Sequence, residues 1–279
     1  MALAADCWAL IAELARAECD LPTALESFKQ ELARLRRIGN RRREGQTLNN
    51  IGLVLIDMGQ FSEANTHLQQ AYTILYQIGE RRGWAISLNG LGVIANFRGA
   101  FEEALAYLNR GLEQMRELVI PGDIALNLMQ IGCVRLRMSD LTTAELLLRE
   151  ALSLFETLRW PTHIAEVRTA LSEVALQNGD IVLAQNLSAD LLPALQSGKV
   201  NELQRPGLAY WRTIRVFEQS NEPEIASQLR EAYRQYHESI LAKLTDPAWK
   251  DAYNSRIWYH KAMFGMLPTT NTAKYQSGE

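Results

Sequence analysis

Cysteine is scarce in this chain. The three residues present, Cys7, Cys19 and Cys133, are odd in number and form no C-x-x-C pair. Neither a disulfide framework nor a zinc knuckle is expected, and a reducing cytosol fits best. Histidine is equally thin: His67, His163, His237 and His260 offer no i, i+4 pair and no H-E-x-x-H, so the usual zinc ligand sets are missing. Long apolar runs are absent too. No stretch approaches the roughly 18 to 20 uncharged apolar residues of a membrane span. The opening MALAADCWALIAELARAE is interrupted at helical spacing by Asp6, Glu13, Arg16 and Glu18, the pattern of an amphipathic helix, not a signal peptide. A net charge of −3 supplies no global attraction to nucleic acid or an anionic membrane. There is no G-x-x-x-x-G-K-[ST] phosphate loop and no G-x-S-x-G. The carboxylates at Glu102, Glu103 and Asp123 are explained by the first turn of a helix, where they offset its dipole. The expectation is a soluble, cytoplasmic, non-catalytic protein with no metal or cofactor.

What is abundant is periodicity. A small residue returns every 40 positions at Gly59, Gly99, Ser139 and Gly179. Seven residues earlier lies a second small residue, at Gly52, Gly92, Gly132 and Ser172, preceded by Ile51, Leu91, Ile131 and Leu171. Five residues after the first column comes alanine, at Ala64, Ala104, Ala144 and Ala184. Ile11, Ala12, Leu21, Ala24 and Phe28 extend the frame backwards, so five units share one register.

Within a unit, Leu48, Ile51, Gly52 and Leu55 lie at i, i+3, i+4 and i+7, one stripe of a helix. A second stripe, Phe61, Ala64, Leu68, Ala71 and Leu75, follows the glycine. Each unit is therefore helix, tight turn, helix. Glycine at the turn can adopt the left-handed conformation that ends a helix, and the Gly52 and Ala64 columns let the two helices approach closely. Pro22, Pro121, Pro161, Pro223 and Pro247 fall where helices should begin. Helix A is expected at 2–18, 42–58, 82–98, 122–138 and 162–178, and helix B at 22–38, 62–78, 102–118, 142–158 and 182–196. After residue 190 the pattern degrades. Pro193 should break the fifth helix B, Arg212 stands in the small-residue column, and an irregular sixth pair is placed at 205–244. One capping helix is expected at 247–264 and a disordered tail at 265–279, the whole of 1–264 forming one solenoid.

These columns, a small residue and an alanine twelve apart with an aromatic or aliphatic between, resemble tetratricopeptide repeats in their long, about 40-residue variant. GNRRREGQTLNNIGLVLIDMGQFSEA and IGERRGWAISLNGLGVIANFRGAFEEA are similar to Pins-type adaptors and to the sensor arrays of bacterial signal-transduction ATPases and transcriptional regulators. The resemblance implies an all-α, right-handed superhelical solenoid that binds a protein or peptide in its concave groove. It also implies a sensing arm, excised or stand-alone, in a bacterial signalling or regulatory system. A small effector in the same groove is the alternative, and self-assembly through the C-terminal helix a second. Nucleic acid is not expected as a partner. Asn50 fits the middle slot of the clamp used by chaperone-binding arrays, but Ala9, Glu13, Ile86 and Gly90 do not fit the others.

By the same resemblance, the groove is formed by helix-A residues outside the packing columns. These are Asn49, Asn50, Leu53, Ile56 and Asp57; Asn89, Gly90, Val93, Asn96 and Phe97; Met129, Gln130, Cys133, Leu136 and Arg137; and Thr169, Ala170, Glu173, Leu176 and Gln177. Amides among apolar side chains suit an extended peptide, since an amide both donates and accepts. Two further patches stand out. Arg34, Arg36, Arg37, Arg41, Arg42 and Arg43 could hold an anion or, more simply, cap a helix end. Trp249 and Trp258 could form an exposed aromatic patch for assembly.

Overall fold

The structure, a computed structural model, describes residues 3–265. Among them are helices and turns but no strand. The chain divides into two compact units. The first runs to Val119 and includes Ile240–Ile257, and the second comprises Ile120–Ser239 and the chain from Trp258. The expected tail lies, Gly265 apart, outside the described residues.

The first unit is built from three helix pairs: α1 (Leu3–Ala17) with α2 (Leu21–Arg37), α3 (Arg41–Asp57) with α4 (Phe61–Gln77), and α5 (Arg81–Arg98) with α6 (Phe101–Glu117). The second contains α7 (Pro121–Arg137) paired with α8 (Leu141–Leu158), α9 (Pro161–Gln177) with α10 (Ile181–Ala189), then α11 (Leu192–Ser197) and α12 (Pro206–Gln219). Observed and expected bounds agree to about a residue through the first nine helices. α13 (Pro223–Lys243) follows, then α14 (Pro247–Ser255) in the first unit and α15 (Trp258–Met263) in the second. Pro193, in the first turn of α11, marks the anticipated interruption. The expected single capping helix is instead two, separated at Arg256–Ile257.

The turns have half the period that the glycines suggest. Left-handed backbone recurs every 20 residues, at Cys19, Gly39, Gly59, Gly79, Gly99, Val119, Ser139, Arg159 and Gly179. The next residue caps the following helix, and at Asp20, Asn40, Glu80, Asp140 and Asp180 its side chain accepts an N–H of the first turn. Except at Val119, each of these turns is closed by paired backbone bonds, for example Gly59 N–H to the Ile56 carbonyl (2.9 Å) and Gln60 N–H to the Leu55 carbonyl (2.8 Å). Val119 is the anomaly, a β-branched residue at φ 53° and 75% exposed. Left-handed backbone costs such a residue about 1–2 kcal/mol, and an exposed side chain recovers little by packing. Val119→Gly is expected to raise stability by about 1 kcal/mol, or a Tm increase of about 2–4 °C. A calorimetric scan checks it.

The small-residue column acts by close approach. A Cβ at Gly52 would lie 2.6 Å from Leu68 Cγ, and one at Gly90 2.8 Å from Leu68 Cδ1. Leu68 of α4 is thus wedged against both α3 and α5. The contact within the pair repeats at Gly92 with Leu108 and at Gly132 with Leu148. In the second unit the irregular helices gain their own core, Leu195, Ile214, Phe217, Leu229 and Tyr233 around Tyr210. The Tyr210 hydroxyl donates to the Leu195 carbonyl at 2.8 Å, tying α12 to α11, and burial pushes its pKa up to about 12.

Candidate binding site

The helix-A residues proposed for a groove divide between the two units and between two roles. In the first unit, Asn49 is only 3% exposed. Its Nδ2–H donates to the Gly83 carbonyl (2.9 Å) and its Oδ1 accepts from the Ser87 hydroxyl (2.7 Å), so the amide fastens α3 to α5. Asn49 is therefore a packing residue, not a groove donor. Val93, Ile56 and Gly90 are likewise buried, and Phe97 stacks on Phe61 with centroids 5.0 Å apart. Asn50, Leu53, Asp57, Asn89 and Asn96 are half-buried.

The arginine cluster is largely engaged within the fold. Arg36 and Arg41 both bond the Glu44 carboxylate, at 3.1 and 2.8 Å, and Arg43 bonds Glu31 at 2.8 Å, both acids being buried. Arg42 lies 3.9 Å from Glu80, while Arg37 is exposed. The charges read as an anion patch thus staple α2 to α3, because folding delivers carboxylates to them. Nor do Trp249 and Trp258 make an exposed patch; both are half-buried. Trp258 stands edge-on to Trp211 at 4.8 Å, with the Arg137 guanidinium 5.0 Å from its ring centroid.

In the second unit the proposed residues converge. Met129, Gln130 and Cys133 lie on successive turns of α7, and Thr169 lies on α9. Together they line a half-open cleft with Glu166 of α9, Gln204 and Arg205 before α12, and Leu208, Ala209 and Arg212 of α12. Its volume is about 30 Å³, enough for about two waters or one small functional group. Arg137, Leu136, Ala170, Leu176 and Gln177 are not in its lining. Glu173, one turn along α9, instead accepts from Arg215 and from Gln177 Nε2 at 3.0 Å.

Glu166 organises the cleft. Its Oε1 accepts the backbone N–H of Gln204 (2.5 Å) and of Arg205 (3.1 Å), pinning the loop that starts α12. Burial pushes its carboxyl above the usual range, against the pull of those N–H donors and of the Arg205 and Arg212 guanidiniums. Arg205 donates to Gln130 Oε1 at 3.2 Å. Arg212 is 7% exposed and donates to Cys133 Sγ at 3.4 Å, while its Nε has no acceptor among the described residues. Of the ionisable lining side chains, apart from the thiol, two are guanidiniums and one a carboxylate.

Sequence reasoning missed Glu166, Gln204, Arg205 and Leu208. For Arg212 a signal existed: it stands 40 residues beyond Ser172, in a column otherwise small. A guanidinium cannot occupy the close contact that Gly52 or Gly132 makes, so α12 packs differently. It meets α9, α10 and α15.

Residues 4–77 match the tetratricopeptide-repeat family model. Among solved structures, RapI in its apo form is similar with a TM-score of 0.65 at 12% identity, covering 94% of this chain and 97% of that one. A Rap protein complexed with competence and sporulation factor gives 0.63 at 13%, over 96% and 76%. NprR in complex with its cognate peptide NprX gives 0.56 at 9%, over 95% and 84%. No curated protein sequence matches the chain. Identities this low speak for fold alone. No described helix is long and apolar enough to cross a membrane. Residues 4–77 carry tetratricopeptide repeats, and the described helix pairs have the fold of the arrays built from them.

Proposed function

We propose that the protein is a non-catalytic module recognising a peptide or a segment of another protein in a bacterial signalling or regulatory system, with recognition centred on the cleft of the second unit. The observation that carries this is the lining. Four helix-A positions outside the packing columns, Met129, Gln130, Cys133 and Thr169, share one cleft with Leu208, Gln204, Arg205 and Arg212. Apolar surface beside amide and guanidinium donors suits a polypeptide, which offers side chains and carbonyls together. NprR, of the same fold, was solved with its cognate peptide. The volume favours a segment lying across the face with one group inserted over a small effector enclosed whole. In the first unit the half-buried Asn50, Leu53, Asp57, Asn89 and Asn96 are the matching positions, and the proposal extends to them.

Selection of random heptapeptides on the immobilised full chain tests this reading. Peptides enriched on the natural protein should bind Leu208→Trp, which fills the cleft, at least about tenfold more weakly, equivalent to ~1.4 kcal/mol. They should bind Leu146→Trp unchanged, since Leu146 on α8 is 68% exposed and outside the cleft. Enrichment of nothing, or of peptides indifferent to Leu208, would overturn the assignment.

A further inference from the structure

We propose that the cleft of the second unit is a carboxylate-binding site with Arg212 as its principal donor. Burying a guanidinium is costly unless an anion and good hydrogen bonds compensate. Arg212 has little compensation. Its described hydrogen bond goes to a thiol sulfur at 3.4 Å, a weak acceptor, it makes no ion pair with a described carboxylate, and Nε is without an acceptor. Glu166 attracts it through space, but the Oε1 of that carboxylate is engaged by two backbone N–H groups.

Charge and size decide the ligand class. Arg205, Arg212 and Glu166 leave the lining with one surplus positive charge. A monoanion balances it, whereas a phosphate dianion would place excess negative charge beside Glu166 and a cation would meet two guanidiniums. The planar fork of arginine matches the two oxygens of a carboxylate. Gln130, whose carbonyl oxygen accepts from Arg205, carries an amide donor on the same wall. About 30 Å³ admits a carboxylate while the body of the molecule stays outside. Two sources share this chemistry, the C-terminus of a chain and an acidic side chain. The proposal rests on reading this cleft as the recognition site and names the group that enters it.

Cys133 provides a local reporter, because its sulfur touches Arg212. The full chain is alkylated with iodoacetamide and modification at Cys7, Cys19 and Cys133 followed by peptide mass spectrometry. N-acetylleucine, or N-acetylaspartic acid α-amide, should slow modification of Cys133 and leave Cys7 unaffected. N-acetylleucine amide, identical but uncharged, should not protect. Stronger protection by N-acetylleucine assigns a chain terminus, and stronger protection by the aspartic derivative assigns a side chain. Arg212→Met should weaken protection about tenfold or more, with thermal stability unchanged or raised because an ill-paired buried charge is removed. Glu166→Gln keeps a carbonyl for the two backbone donors and should tighten binding severalfold, which holds even if Arg212→Met fails to fold. Protection by the neutral amide, protection that survives in Arg212→Met, or no protection by either acid would overturn the site. Failure of the heptapeptide selection with carboxylate protection intact would remove the peptide reading and leave the carboxylate site standing.

Discussion

Gly59→Ala is expected to destabilise the protein by about 2–5 kcal/mol, and Gly79→Ala by only about 1–2. The two glycines share φ +72° and the same turn, so the left-handed backbone penalises alanine equally at both, by about 1–2 kcal/mol. They differ in what stands opposite. Around Gly79 there is nothing within 4 Å of an added Cβ. At Gly59 that Cβ would sit 2.6 Å from the Ala252 carbonyl oxygen and 3.0 Å from its carbon. Those atoms are the backbone of α14 and cannot swing aside as a side chain can, so the helix must lift or the turn must shift. Overpacking of this kind costs about 1–3 kcal/mol more. Urea unfolding of both variants gives the comparison, and amide exchange gives the mechanism: α14 should exchange faster in Gly59→Ala and be unaltered in Gly79→Ala. Equal losses would show that α14 does not rest on this turn.

Arg215→Ala should cost about 2–4 kcal/mol. Glu173 is 2% exposed and takes its charged partner from Arg215. Gln177 adds one neutral donor, and Glu173 Oε2 has none among the described residues. Removing the guanidinium strands a buried carboxylate, and the 20% exposure of the Arg215 side chain leaves little solvent screening to soften the loss. The Arg215 guanidinium also lies 4.6 Å from the Trp211 ring centroid, a contact worth about 0.5–1 kcal/mol. Glu173→Gln alone should be mild, since the amide keeps the shape without the charge. The double variant should recover most of the loss, a coupling that a double-mutant cycle reads directly. A loss from Arg215→Ala below about 0.5 kcal/mol would mean that the pair is not supporting α9 against α12.

How much of this was legible depended on distance along the chain. Gly59 announces a helix end because the left-handed cap is a property of one residue and its neighbours. The wedge of Leu68 against Gly52 was equally readable, since sixteen residues of helix, turn and helix leave one way to bring them together. Asn49 was not. Its surface-like slot on α3 is covered by Gly83 and Ser87 of α5, so an amide that looked available is consumed in packing. The arginines misled for the opposite reason. Arg43 finds Glu31, twelve residues away, and Arg42 approaches Glu80, thirty-eight away. A patch defined by one strand of sequence is neutralised by others.

The sequence alone determined the helix pairs, their forty-residue repeat and the point near Pro193 where regularity fails, because these follow from local backbone preference and side-chain volume at fixed spacing. Tertiary structure alone decided which polar groups remain for a partner. Arg212 was visible as a large charged residue in a small-residue column, yet its surroundings arise from α7, α9 and α12 meeting across more than seventy residues. Whether a buried charge is paired depends on every element packed around it, and no periodicity encodes that sum.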